Sequence, residues 1–219
     1  MSQQYGILFD CDGTVFDTEP LYANFWGEQG KKYHPEIPDF ENCILGNSLN
    51  KILDTYFSYD KTIRSSILKK YEDFENNIKF KYFPGTKEFI QSLKDRGIPM
   101  SMVTSSNDDK LNKIYKAHPE FNEFFKCVIT SNKVSKPKPD PEGYLKGAKS
   151  LNIDPKKCIV FEDSISGIKA AKAAGCFVVG LTTSKPKEEI EKYSDIVVEN
   201  LGKMSYDYLE KAVVPKLLK

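Results

Sequence analysis

At 219 residues the chain has room for one large domain, or for a domain carrying a smaller insertion. A formal net charge of +1, with 32 basic residues against 31 acidic ones, leaves no electrostatic footprint for nucleic acid. The 40% of apolar residues, with 14 Phe and 12 Tyr, supply an ample core, yet no run approaches the ~18 apolar residues of a membrane helix.

The first five residues of recognisable pattern, Tyr5-Gly6-Ile7-Leu8-Phe9, form a short apolar run that reads as a buried strand. No basic stretch leading into a long apolar one precedes it, so no signal peptide is expected. Asp10-Cys11-Asp12-Gly13-Thr14 follows. Side chains two apart on a strand point the same way, which would project Asp10 and Asp12 together from the strand's tip. Two carboxylates so close repel unless a cation or a shared proton holds them. The pair suits an attacking carboxylate and a proton carrier beside a divalent metal, and it equally suits a solvated turn or a calcium loop.

Residues 17–82 hold helical stretches at about 19–30, 47–57 and 61–77 and no convincing strand. They read as an inserted all-α subdomain, leaving 1–16 and 83–219 as the core. In the core, Pro84-Gly85-Thr86 opens an amphipathic helix with Phe89, Ile90 and Leu93 on one face, stopped at Gly97. A strand over 98–103, a helix near 108–117 and a strand at 127–130 come next. A helix carrying Tyr144, Leu145 and Ala148 precedes the strand Cys158-Ile159-Val160-Phe161, and the helix 165–174 closes at Gly175. Strands at 176–181 and 195–198 and a helix from about Met204 complete the order. Such alternation predicts an α/β fold, a Rossmann-like three-layer core around a parallel sheet with the all-α cap inserted. Ligands of these sheets bind beyond the C-terminal strand ends.

Three further clusters fall at or just after those ends. Thr104-Ser105-Ser106-Asn107 can hold phosphate oxygens at a helix N-terminus, or can cap the helix through Ser106 or Asn107. Ser135-Lys136-Pro137-Lys138-Pro139-Asp140 is either a proline-fixed lysine aimed at a phosphoryl group or a surface turn. Within it Lys136 is the preferred candidate, and Lys138 is expected to be solvated. Glu162-Asp163-Ser164 can ligate magnesium or cap the following helix. The five cysteines, Cys11, Cys43, Cys127, Cys158 and Cys176, lack a C-x-x-C pairing and read as free thiols of a reducing cytoplasm, with Cys11 turned into the core.

With these four clusters in this order the chain resembles the haloacid dehalogenase superfamily of phosphotransferases, and within it the helical-cap branch of sugar-phosphate phosphatases and β-phosphoglucomutase. Phe9–Thr14, Asp17-Thr18-Glu19-Pro20-Leu21, Phe83-Pro84-Gly85, Thr104–Ser106, Ser135–Asp140 and Phe161–Gly167 carry the likeness, which spans nearly the whole chain. The resemblance implies Asp10 as a nucleophile that becomes an aspartyl phosphate and Asp12 as its acid and base. It implies phosphoryl binding by Thr104 with nearby Ser105 and Ser106, and charge neutralisation by Lys136. Magnesium is implied on Asp10, the Asp12 carbonyl and Asp163, with Glu162 in support.

Glu19, Tyr22, Asn47 and Asn107 are candidate substrate contacts. Trp26 is expected in the cap core. Retention of Asp12 argues against dehalogenation, which needs no proton donor there, and an intact motif set argues against a degenerate, merely phosphate-binding member. Ile44–Leu53 has no arginine where the mutase carries one, and Tyr22 stands where it has a histidine. Hydrolysis of a small phosphorylated metabolite by a cytoplasmic monomer, without nucleic acid or membrane partners, is therefore the expectation, with the mutase as the alternative.

Overall fold

The structure, a computed structural model, describes residues 5–44, 47 and 49–218. Leu45, Gly46 and Ser48, part of the stretch compared with the mutase loop, lie outside the described residues. The chain divides into two compact units, 1–17 with 81–219, and 18–80.

The larger unit is built on a six-stranded, all-parallel sheet. Its strands are β1 (Gly6–Phe9), β2 (Met100–Val103), β3 (Cys127–Ile129), β4 (Cys158–Glu162), β5 (Phe177–Leu181) and β6 (Ile196–Val198), in the order β3-β2-β1-β4-β5-β6. β1 lies at the centre because all four of its residues are fully buried, and only a strand covered on both faces can be apolar throughout.

Leu8, Val160 and Val178 pack on one face with Tyr144, Ala148 and Ile168 from α7 (Glu142–Leu151) and α8 (Ile165–Ala173). Phe9 and Phe161 take the other face, stacked at 5.2 Å, where Phe89 of α5 (Thr86–Asp95) meets Phe161 edge-on. Each such side chain taken out of water contributes ~1.5–3 kcal/mol. The period-2 alternation therefore decides which loop faces which helix layer. Asp10 shares its phase with Leu8, as Glu162 does with Val160.

The smaller unit holds α1 (Glu19–Tyr33), α2 (Phe40–Ile44), α3 (Leu49–Tyr56) and α4 (Lys61–Asn77). Its core is aromatic: Tyr22, Phe25, Trp26, Phe40 and Phe57, closed by Ile52, Leu53 and Ile67. Asp60 caps α4, accepting from the amides of Thr62 and Ile63. α2 and a short α9 (Lys187–Ile190) go beyond the sequence expectation, and the helix expected from about Met204 is α10 (Tyr206–Tyr208) and α11 (Val214–Leu217), joined by a π turn. The two crossings between units run side by side, Asp17 N–H donating to the Lys81 carbonyl and Phe83 N–H to that of Val15. Among the described residues no helix is long and apolar enough to cross a membrane.

Candidate active site

Asp10 extends β1 by one residue, its N–H bonded to the Phe161 carbonyl at 3.0 Å, so its side chain stands at the sheet's C-terminal edge. After it the chain folds back in a tight turn: Val15 and Phe16 N–H both donate to the Cys11 carbonyl. Gly13 makes this possible. It sits at φ +73°, and a Cβ there would lie 2.1 Å from Asp163 Oδ2. The turn carries Thr14 against Asp163, its hydroxyl donating to Oδ1 at 2.8 Å.

The lysine expectation is corrected by the geometry. Lys136 has a side chain 74% exposed and pairs with Asp140 at 3.7 Å. Lys138, expected in solvent, has a side chain only 9% exposed, with its Nζ 2.5 Å from both Asp10 Oδ1 and Glu162 Oε1. The physical reason is the register of a repeated dipeptide. Lys-Pro-x-Pro begins at Lys136 and again at Lys138, and Pro141 ends the second copy at the N-cap of α7. The first copy is held on the outside instead. Glu142 accepts from the Ser135 and Lys136 amides and from Lys146 Nζ, fastening that loop to the first turn of α7.

Glu162 is the anchor behind Lys138. Its Oε1 also accepts from the buried Tyr144 hydroxyl at 3.1 Å, and its Oε2 from the Ser164 amide and hydroxyl. A Cβ at position 167 would fall 1.6 Å from Glu162 Oε1, so only glycine lets α8 approach this closely. The Lys138 ammonium also lies 5.1 Å from the Tyr144 ring centroid. Burial works against the ammonium, but the fields of Asp10 and Glu162 outweigh it and hold Lys138 above its ordinary value. Burial pushes the Asp10 carboxyl well up; Lys138 opposes this, while Glu162 and Asp163 reinforce it.

Asp10, Glu162 and Asp163 place carboxylate oxygens within 4.8 Å of one another, all three residues buried. Asp10 and Glu162 share the single Lys138 ammonium, while Asp163 receives hydroxyls from Thr14 and Ser184. A buried cluster with this excess of negative charge fits a divalent cation held by hard oxygen ligands. Glu162 differs from its neighbours, because Lys138, Tyr144 and Ser164 already engage both of its oxygens. It supports the cluster from behind.

Asp12 has a different set of partners. Oδ1 accepts from Lys110 Nζ at 2.6 Å and Oδ2 from the Ser106 hydroxyl at 2.8 Å. The Ser106 amide in turn donates to Thr104 Oγ1 at 3.0 Å, and Thr104 is buried. Ser105 is exposed. Asn107 caps α6 (Asp108–Ala117), its side-chain Oδ1 accepting from the Lys110 amide, so the capping alternative describes this residue.

Among the cap candidates, Glu19 is half-buried at the start of α1. Asn47 donates to the Cys43 and Ile44 carbonyls at the end of α2. Tyr22 is corrected from substrate contact to core: it is buried, and its hydroxyl donates to Glu75 within the helical unit. Cys11 is fully buried, and that burial together with nearby Asp12 keeps its thiol well above the ordinary range.

Four participants carry no clear signal in the sequence. Lys110 occupies the first turn of a helix, where a cation opposes the dipole. Thr14 lies inside a motif already singled out. Tyr144 reads from its helical spacing as packing. Ser184, whose hydroxyl bonds Asp163, belongs to Thr182-Thr183-Ser184 after β5, a hydroxyl run like the one after β2.

Residues 7–181 match the haloacid dehalogenase-like hydrolase family. Validoxylamine A 7'-phosphate phosphatase of Streptomyces hygroscopicus subsp. limoneus is 34% identical over 207 residues, 92% of this chain and 96% of that protein. The bifunctional riboflavin kinase/FMN phosphatase of Arabidopsis thaliana is 28% identical across 89% of this chain, which spans only 53% of that longer protein. The crystal structure of β-phosphoglucomutase from Clostridium difficile superposes with a TM-score of 0.77 at 22% identity, covering 99% of this chain and 100% of the other, a likeness of fold.

Proposed function

We propose, from the premise that this chain belongs to the haloacid dehalogenase-like hydrolase family, that it hydrolyses a sugar phosphate or similar small metabolite through an aspartyl phosphate on Asp10. The chain is a phosphoric monoester hydrolase, the class of the phosphatases it resembles. The observation that carries the mechanism is the buried set of Asp10 and Glu162 sharing Lys138, with Asp163 beside them.

Asp10 attacks phosphorus as the bond to the leaving oxygen breaks, and Asp12 passes its proton to that oxygen. Asp12 then takes a proton from water, whose oxygen attacks phosphorus and frees Asp10. Lys138 neutralises charge on Asp10 and on the transferring group, a reaction that depends chiefly on positioning and charge stabilisation. Thr104 and the amides after β2 receive phosphoryl oxygens.

Asp10, Asp163 and the Asp12 carbonyl would hold magnesium, with Glu162 supporting through Lys138 and Ser164. Bound there, the ion supplies Lewis-acid polarisation of the phosphoryl oxygens. Residues 17–82 are assigned the choice of substrate, and the paired crossings near 14–18 and 79–84 the hinge. The enzyme is read as a cytoplasmic monomer.

Magnesium-dependent phosphate release from a panel of small phosphate esters tests the reading, and Asp10→Asn should abolish it. Undiminished release by that variant refutes the assignment. β-Glucose 1-phosphate with a trace of the 1,6-bisphosphate separates hydrolysis from the mutase alternative: hydrolysis yields free phosphate, and glucose 6-phosphate without phosphate release would overturn it.

A further inference from the structure

Lys110 is a lysine in an unfavourable place. It is the third residue of α6, where the helix dipole is positive, and its side chain is only 6% exposed. Desolvating an ammonium costs several kcal/mol, and an apolar side chain of similar length would fill the space more cheaply. What the site gains instead is a charged donor 2.6 Å from Asp12 Oδ1, with Ser106 Oγ on Oδ2. With a donor on each oxygen, the plane of the carboxylate is set. Ser106 also ties this arrangement to Thr104 through its amide, linking the phosphoryl-binding loop to the proton carrier.

We propose that Lys110 is a positioning residue: with Ser106 it fixes the Asp12 carboxylate in the orientation from which both proton transfers occur. The inference rests on the assignment of Asp12 as acid and base, made above. Loss of the ammonium removes one of the two donors that set the plane of the Asp12 carboxylate. The first transfer, to the leaving oxygen, and the second, from the attacking water, should both suffer.

An ester with a good leaving group separates the two steps. With 4-nitrophenyl phosphate the phenolate departs without needing a proton, whereas water must still surrender one to Asp12 before the aspartyl phosphate is hydrolysed. Lys110→Met should therefore lower steady-state kcat about 10²-fold. It should also show a rapid burst of nitrophenolate approaching one equivalent per enzyme, with phosphorylated Asp10 accumulating on acid quench. An alkyl phosphate should show the loss without the burst. Lys110→Arg, which keeps a charged donor, should recover part of the rate and shrink the burst.

If Lys110 served packing alone, both steps would fall together. A loss with no burst and no trapped phosphoenzyme, or kcat unchanged in Lys110→Met, overturns the proposal. Asp12→Asn, run in parallel, isolates the underlying reading. A burst there but not in Lys110→Met defeats the role of Lys110 alone, and full turnover by Asp12→Asn defeats the Asp12 assignment itself. In the double variant, Lys110→Met should add less than threefold to the loss caused by Asp12→Asn, as for two residues acting through one step.

Discussion

Replacing Lys138 by methionine keeps the side-chain stem and removes the ammonium that Asp10 and Glu162 share. At 2.5 Å and an effective dielectric of ~20, each of those attractions is gross about 7 kcal/mol, most of it offset by desolvation. Removing one partner of such a buried group costs a net ~3–5 kcal/mol. Proton uptake by Asp10, already pushed upward by burial, relieves part of the loss and favours the lower figure. At ~2–4 °C per kcal/mol for a domain of this size, Lys138→Met should lower Tm by roughly 6–12 °C. Phosphate release should fall about 10²–10³-fold.

Lys136→Met is the matched control. Its exposed contact with Asp140 at 3.7 Å is worth under ~1 kcal/mol, so Tm and rate should scarcely move. Thermal unfolding followed by circular dichroism, and phosphate release with magnesium, measure both variants. A Lys136→Met variant that is inactive beside a fully active Lys138→Met would refute the reasoning.

Glu142→Gln should loosen the loop that delivers Lys138 and lower kcat several-fold, checked by steady-state kinetics. Lys146 and the Ser135 and Lys136 amides hold the Glu142 carboxyl down at about 2. Its stabilising contribution is therefore fully present above the unfolded carboxyl value of ~4.3 and is lost as pH falls through about 2, so the variant's acid-unfolding curve should differ from wild type mainly in that window. Asp163→Asn should weaken magnesium binding at least about tenfold by calorimetric titration, and chelation should stop phosphate release by the wild type. Asn107→Ala should cost about 1 kcal/mol in denaturant unfolding, as loss of a helix cap does, with KM unchanged; a large rise in KM would restore Asn107 as a substrate contact.

The sheet and the acidic pairs were legible because each rests on a local rule. An apolar run ended by Asp-x-Asp-Gly reads as a strand and turn whatever the rest of the chain does, and Glu162-Asp163 follows β4 in the same way. The lysine was not legible by that route. Two overlapping Lys-Pro-x-Pro registers lie two residues apart, and the choice between them is made by Glu142 clamping the first to α7, a contact that spacing does not reveal. Lys110 escaped because its partner lies on another strand's loop, so only the parallel pairing of β1 with β2 brings them together. Tyr22 read as a site residue on likeness of position, whereas aromatic packing in the helical unit claims it.

In the proposed mechanism Asp10 carries the phosphoryl group. Mixing the enzyme with magnesium and a turned-over phosphate ester, quenching in acid within a few milliseconds and mapping the peptides by mass spectrometry tests it most directly. One phosphoryl group is expected on the peptide containing Asp10, absent in Asp10→Asn. Phosphate release at the wild-type rate by Asp10→Asn, or a phosphoryl group trapped on a different residue, would contradict it.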